Sequence, residues 1–112
     1  MEKSPPELIE RFDAVVARHP GVERRKMFGF PAAFVGGNLA TSLYEARWVV
    51  RLGDQERDAL LALPGAAPFE PMPGRQMKNF ALLPRDVVAD DARVDAWVER
   101  AVAFARSLPA KK

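Results

Sequence analysis

The apolar residues of this chain fall into short blocks whose period changes along the sequence, and the period separates helices from strands. Leu8, Ile9, Phe12, Val15 and Val16 recur at helical spacing and make one apolar stripe. Ser4-Pro5-Pro6-Glu7 precedes them as a start signal, with Ser4 as N-cap, prolines in the first turn and Glu7 placed to close a capping box. His19-Pro20-Gly21 stops the pattern, because proline cannot continue the hydrogen-bond ladder and glycine tolerates the turn. The spacing therefore predicts a helix from Pro5 to Arg18. Near the other end Val94, Trp97, Val98, Ala101, Val102, Ala105 and Leu108 form a second stripe, predicting a helix capped by Asp90 or Asp91 and running to Ser107.

Between these helices the pattern is that of strands. Val22 to Phe28, Pro31 to Val35, Leu39 to Tyr44 and Arg47 to Leu52 are predicted as four strands, with Gly36-Gly37-Asn38 and Glu45-Ala46 as turns. The fourth alternates cleanly: Trp48, Val50 and Leu52 point one way, Arg47, Val49 and Arg51 the other. One buried face and one wet face is the expectation, as in an antiparallel sheet covered on one side. Gly53-Asp54 supplies a break and an N-cap for a short helix from Gln55 to Leu63. From Pro64 to Gly74 there are four prolines and two glycines in eleven residues, an ordered loop with an edge strand near Phe69. Phe80 to Leu83 is a last strand, stopped by Pro84.

The order helix, four strands, helix, one to two strands, helix contains no repeating strand–helix–strand unit, which argues against a doubly wound parallel sheet. The expected fold is a two-layer α+β domain, with an antiparallel sheet of about five to six strands and helices packed on it. At 112 residues the chain fits one domain.

Composition narrows the chemistry. There is no cysteine and one histidine, which excludes disulfides, thiolate metal sites, a Cys nucleophile and a multi-histidine cluster. No apolar run reaches the ~20 residues of a membrane span, and MEKSPPELIE is not a signal peptide, so a soluble cytoplasmic protein is expected. Gly36-Gly37 lacks the lysine and hydroxyl residue of a phosphate loop. Ser4, Ser42 and Ser107 have no nucleophile-elbow context, and His19 reads as a polar helix-end residue. Asp54, Asp90 and Asp91 read as helix caps, and Trp48 and Trp97 as core. No catalytic, cofactor or metal residue emerges.

Charge offers one constellation. Lys and Arg number 17 against 15 acids, a net charge of only +2. Yet Arg24 and Lys26 share one side of the first strand, and Arg47 and Arg51 one side of the fourth. If those sides coincide, with Arg75 and Lys78 nearby, an anion- or nucleic-acid-binding surface results. The alternative is a solvated sheet face. Phe30, between a glycine and a proline, joins Phe69 and Met72 as an expected protein contact.

Arg25-Lys26-Met27-Phe28-Gly29, the glycine-turn hairpin after it, Trp48-Val49-Val50-Arg51-Leu52, Pro68-Phe69-Glu70-Pro71, Met77-Lys78 and Phe80-Ala81-Leu82-Leu83-Pro84 together resemble the N-terminal domain of the TfoX/Sxy family. The resemblance covers nearly the whole chain, from about Pro6 to Leu108, so a single domain of the N-terminal type, without the C-terminal domain of longer members, is expected. It implies an α+β domain with a non-enzymatic regulatory role, since founding members regulate competence as partners of a transcription activator. The expectation is an interaction module that binds a protein partner, with self-association open. Direct nucleic-acid binding and a small-molecule enzyme are the alternatives.

Overall fold

A computed structural model describes residues 2–111. The first helix, α1 (Pro6–Val16), buries Phe12, Val15 and Val16. It does not start as the sequence suggests. Pro5 occupies the cap position with extended backbone, and no side chain caps the helix. Ser4 lies one residue too early; its hydroxyl donates instead to the Glu45 carbonyl at 2.7 Å, so the expected capping box does not form.

Four strands follow as a meander: β1 (Glu23–Met27), β2 (Phe30–Val35), β3 (Asn38–Tyr44) and β4 (Arg47–Arg51). After α2 (Asp54–Leu61) the chain returns through β5 (Ala67–Pro68) and β6 (Phe80–Leu82). The single six-stranded sheet has the order β1-β2-β3-β4-β6-β5, antiparallel throughout. A one-turn helix absent from the expectation, α3 (Arg85–Val88), precedes α4 (Asp91–Ser107). Asp90 caps α4, its carboxylate accepting from the Arg93 amide at 3.1 Å. Asp54 is not a cap: Gly53 holds that position, and Asp54 accepts from Asn79 Nδ2 at 3.2 Å.

Two-residue turns set the register of the meander. Phe28-Gly29 and Gly36-Gly37 each place both central residues at positive φ, the conformation that matches the twist of a tight hairpin. In β3 one extra residue, Ala40, is accommodated between Leu39 and Thr41 opposite Ala33 and Phe34.

The helices cover one face of the sheet. Trp48, Val50, Leu52, Leu43 and Ala33 meet Phe12, Val16, Val98 and Val102 in the main core. Trp48 packs against Phe12 with ring centroids 5.1 Å apart, and its indole N–H donates to Thr41 Oγ1 at 2.9 Å. The Thr41 hydroxyl in turn donates to the Val49 carbonyl at 2.6 Å. Thr41→Val keeps the shape but leaves that indole N–H unpaired in a dry core. The expected loss is about 1–3 kcal/mol in urea denaturation; an unchanged midpoint would show that the hydroxyl is dispensable.

The other face is not wet. Phe30, Ala32, Ser42, Val49 and Phe80 on it are buried. The proline-rich loop lays Phe69 across it, so that Phe30, Tyr44, Phe69 and Phe80 form a continuous row with neighbouring centroids 5.3, 5.3 and 6.4 Å apart. The Tyr44 hydroxyl reaches the Pro71 carbonyl at 3.5 Å. Helices form one layer and this loop begins a second cover. After α4 the chain folds back onto the β2–β3 turn, where the Lys111 amide donates to Gly36 O at 2.8 Å and Asn38 Nδ2 donates to Pro109 O at 2.9 Å.

Candidate functional site

The six expected anion contacts do not converge. Arg24 pairs in register with Ala33, a residue of the helix-side core, whereas Arg47 pairs with Tyr44 of the opposite face. Strand alternation carries Lys26 to the side of Arg24 and Arg51 to the side of Arg47. Arg24 is held by Asp13 of α1 at 2.8 Å. Arg51 donates to Leu39 O at 3.4 Å, with its guanidinium 5.3 Å from the Phe80 ring. Arg75 and Lys78 are exposed on the proline-rich loop. The expected shared face is therefore split between the two sides of the sheet.

Arg25, not Arg24, shares the loop-covered side. Its guanidinium lies 5.1 Å from the Phe34 ring and bonds Glu23 at 2.6 Å. That hydrogen bond, and the adjacent charge, hold the Glu23 carboxyl below its ordinary range and raise Arg25. His19 Nε2 and Arg18 both meet Asp95, at 3.1 and 3.3 Å, tying the exit of α1 to α4. Among the described residues no group of three or more His, Cys, Asp or Glu side chains gathers into a metal-binding set.

The expected protein contacts are rearranged as well. Phe30 is only 5% exposed, because it starts β2 and packs on Tyr44. Its near neighbour Phe28 occupies the turn and is 84% exposed, at φ 54°. Phe69 is half-buried in the aromatic row, and Met72 is exposed at the loop tip. The Phe-Gly pair was the available signal: glycine second in a two-residue turn leaves the residue before it at the tip.

Chain direction brings two of the turns and both larger concavities to one end of the sheet. The β1–β2 turn, the β3–β4 turn at Glu45-Ala46 and the end of β6 all lie there. Residues 2–4 are bound across it, the Glu2 amide donating to Glu45 Oε2 at 3.0 Å. Two concavities flank this segment. A groove of about 600 Å³ runs beside the hairpin, lined by Glu2, Lys3, Ile9, Arg24, Lys26 and Phe28 among others. A cleft of about 470 Å³ lies between the start of α1, the β3–β4 turn and α3, and neither it nor the groove was legible in the sequence.

The elements together define a small two-layer α+β domain built on a six-stranded antiparallel sheet. The sequence profile of the TfoX N-terminal domain matches residues 14–105. The chain thus belongs to the TfoX N-terminal domain family. Comparison with curated proteins and with solved structures gives no significant match. No helix among the described residues is long and apolar enough to cross a membrane.

Proposed function

We propose that this chain is a non-enzymatic interaction module of the cytoplasm, acting in transcription regulation by docking a protein partner on the tip of the β1–β2 hairpin. The observation that supports this reading is Phe28. A phenylalanine in the left-handed region stores roughly 1–3 kcal/mol of strain, and here its ring also stands in water. Glycine or asparagine would serve the turn better, so the ring is a cost to the isolated fold that an interface would offset.

The groove beside it gives the partner a chemistry. Lys3 and Lys26 have no ion-pair partner among the described residues, while Arg24 is occupied by Asp13. An apolar ring flanked by lysines suits a pocket with an acidic rim, where the ring is the anchor and the charges steer.

Photoreactive benzoylphenylalanine placed at Phe28 should form a covalent adduct with one defined protein in extract of the source cell. The same group at exposed Ala103 on α4 should not. An adduct of doubled mass would identify the partner as a second copy. Equal labelling from both positions, or none from Phe28, would remove the hairpin tip as the interface.

A further inference from the structure

We infer that the cleft between α1, the β3–β4 turn and α3 binds a small organic anion with an apolar body. Its lining is largely hydrocarbon, contributed by Leu8, Ala46, Trp48, Leu83 and Val88, and arginines 11, 47 and 85 surround it. At about 470 Å³ it falls in the size range of small-ligand sites, which combine apolar walls with a few placed polar groups.

The charges of the cleft are unbalanced. Arg11 is satisfied, donating to Val88 O at 2.5 Å and pairing with Asp91 at 2.9 Å. Arg47 and Arg85 have no carboxylate partner among the described residues. One Arg47 nitrogen donates to both Gly65 O and Leu83 O at 3.1 Å, which fixes the guanidinium, but its Nε is buried without a hydrogen-bond partner. Burial, and then the nearby charge of Arg85, hold Arg47 below its ordinary range. Both cations line the one cleft, near enough for the charge of Arg85 to act on Arg47. Glu7 is the one carboxylate lining the cleft, and it lies in the first turn of α1. With Asp91 matched to Arg11, a single acid faces two uncompensated guanidiniums, and a surplus positive charge remains for a ligand.

That surplus selects an anion, and the hydrocarbon walls select an organic one. A carboxylate and a phosphate monoester share the required chemistry, since guanidinium groups bind both. The site stands apart from Phe28 and does not depend on the hairpin-tip reading.

The test is a titration of the isotope-labelled chain, followed by amide and indole NMR shifts, with naphthylacetate, naphthyl phosphate and neutral naphthylacetamide as probes. Saturable shifts at Ala46, Trp48, Val88 and Ala89 are expected with at least one of the anions, and whichever saturates first identifies the headgroup class. Arg85→Ala should weaken that binding about tenfold. Arg85 is exposed, so the variant's spectrum should otherwise overlay the wild type's. Glu7→Gln should tighten binding. Equal affinity for naphthylacetamide would reduce the cleft to an apolar crevice and overturn the inference. So would saturation by neither anion, or an Arg85→Ala affinity equal to wild type.

Discussion

Trp48→Ala is expected to lose about 3–5 kcal/mol of stability, a large share of the ~5–15 kcal/mol that holds a domain of this size. Three effects add at this one residue. The indole is 1% exposed, so its removal opens a cavity at the centre of the helix-side core. Phe12 loses the ring against which it packs at 5.1 Å. Thr41 loses the donor that its hydroxyl accepts. Trp48→Phe separates the contributions, because it keeps an aromatic ring facing Phe12 and removes only the N–H and part of the volume; its loss should be smaller. Urea denaturation followed by far-ultraviolet circular dichroism measures both. A Trp48→Ala loss below about 1 kcal/mol would mean that the core closes over the gap, contrary to close packing.

Phe28→Asn should move two measurements in opposite directions. Asparagine tolerates the left-handed region, and Asn-Gly is the preferred pair for this turn, so the fold should gain about 1 kcal/mol. For a domain near 100 residues that is a rise of roughly 4–8 °C in melting temperature. Affinity for the partner captured through Phe28 should fall about 30-fold or more, the loss that truncating an interface anchor produces. A variant that melts earlier would show that the ring supports the fold. One that binds as well as wild type would show that it is not the anchor.

Much of the architecture behind these effects was legible in the sequence. The four-strand meander was readable because two-residue turns leave few registers open, and the glycine pair at 36–37 marks one unmistakably. The terminal helices were readable from their stripes. Their fine starts were less so, since Ser4 obeys a capping rule until tertiary structure offers its hydroxyl the Glu45 carbonyl. The single turn of α3 carries too few residues for any period to show.

Faces were harder than strands. Val49 between Arg47 and Arg51 was a hint that the second face is covered, yet alternation alone cannot say that Phe69 will arrive from twenty residues downstream. The basic patch failed on phase. Arg24 and Arg47 each alternate correctly within their strands, but only the paired register shows that they occupy opposite sides. The cleft was beyond sequence reading for a related reason. Arg47 and Arg85 line one cleft because β6 pairs with β4, after an intervening helix and loop.

The return of the C-terminal segment to the β2–β3 turn has a practical consequence for every binding measurement above. Lys111 is anchored at Gly36, while residues 2–4 are anchored at Glu45, so the two ends of the described chain depart from opposite ends of the sheet. A handle joined at the C-terminal side leaves about 20 Å, the length of the six-residue β2, from the hairpin that carries Phe28. Immobilised that way on a sensor chip, the molecule would stand with its aromatic tip toward the solution. A handle on the N-terminal side would emerge beside Glu2, in the groove that holds Phe28, and crowd that tip.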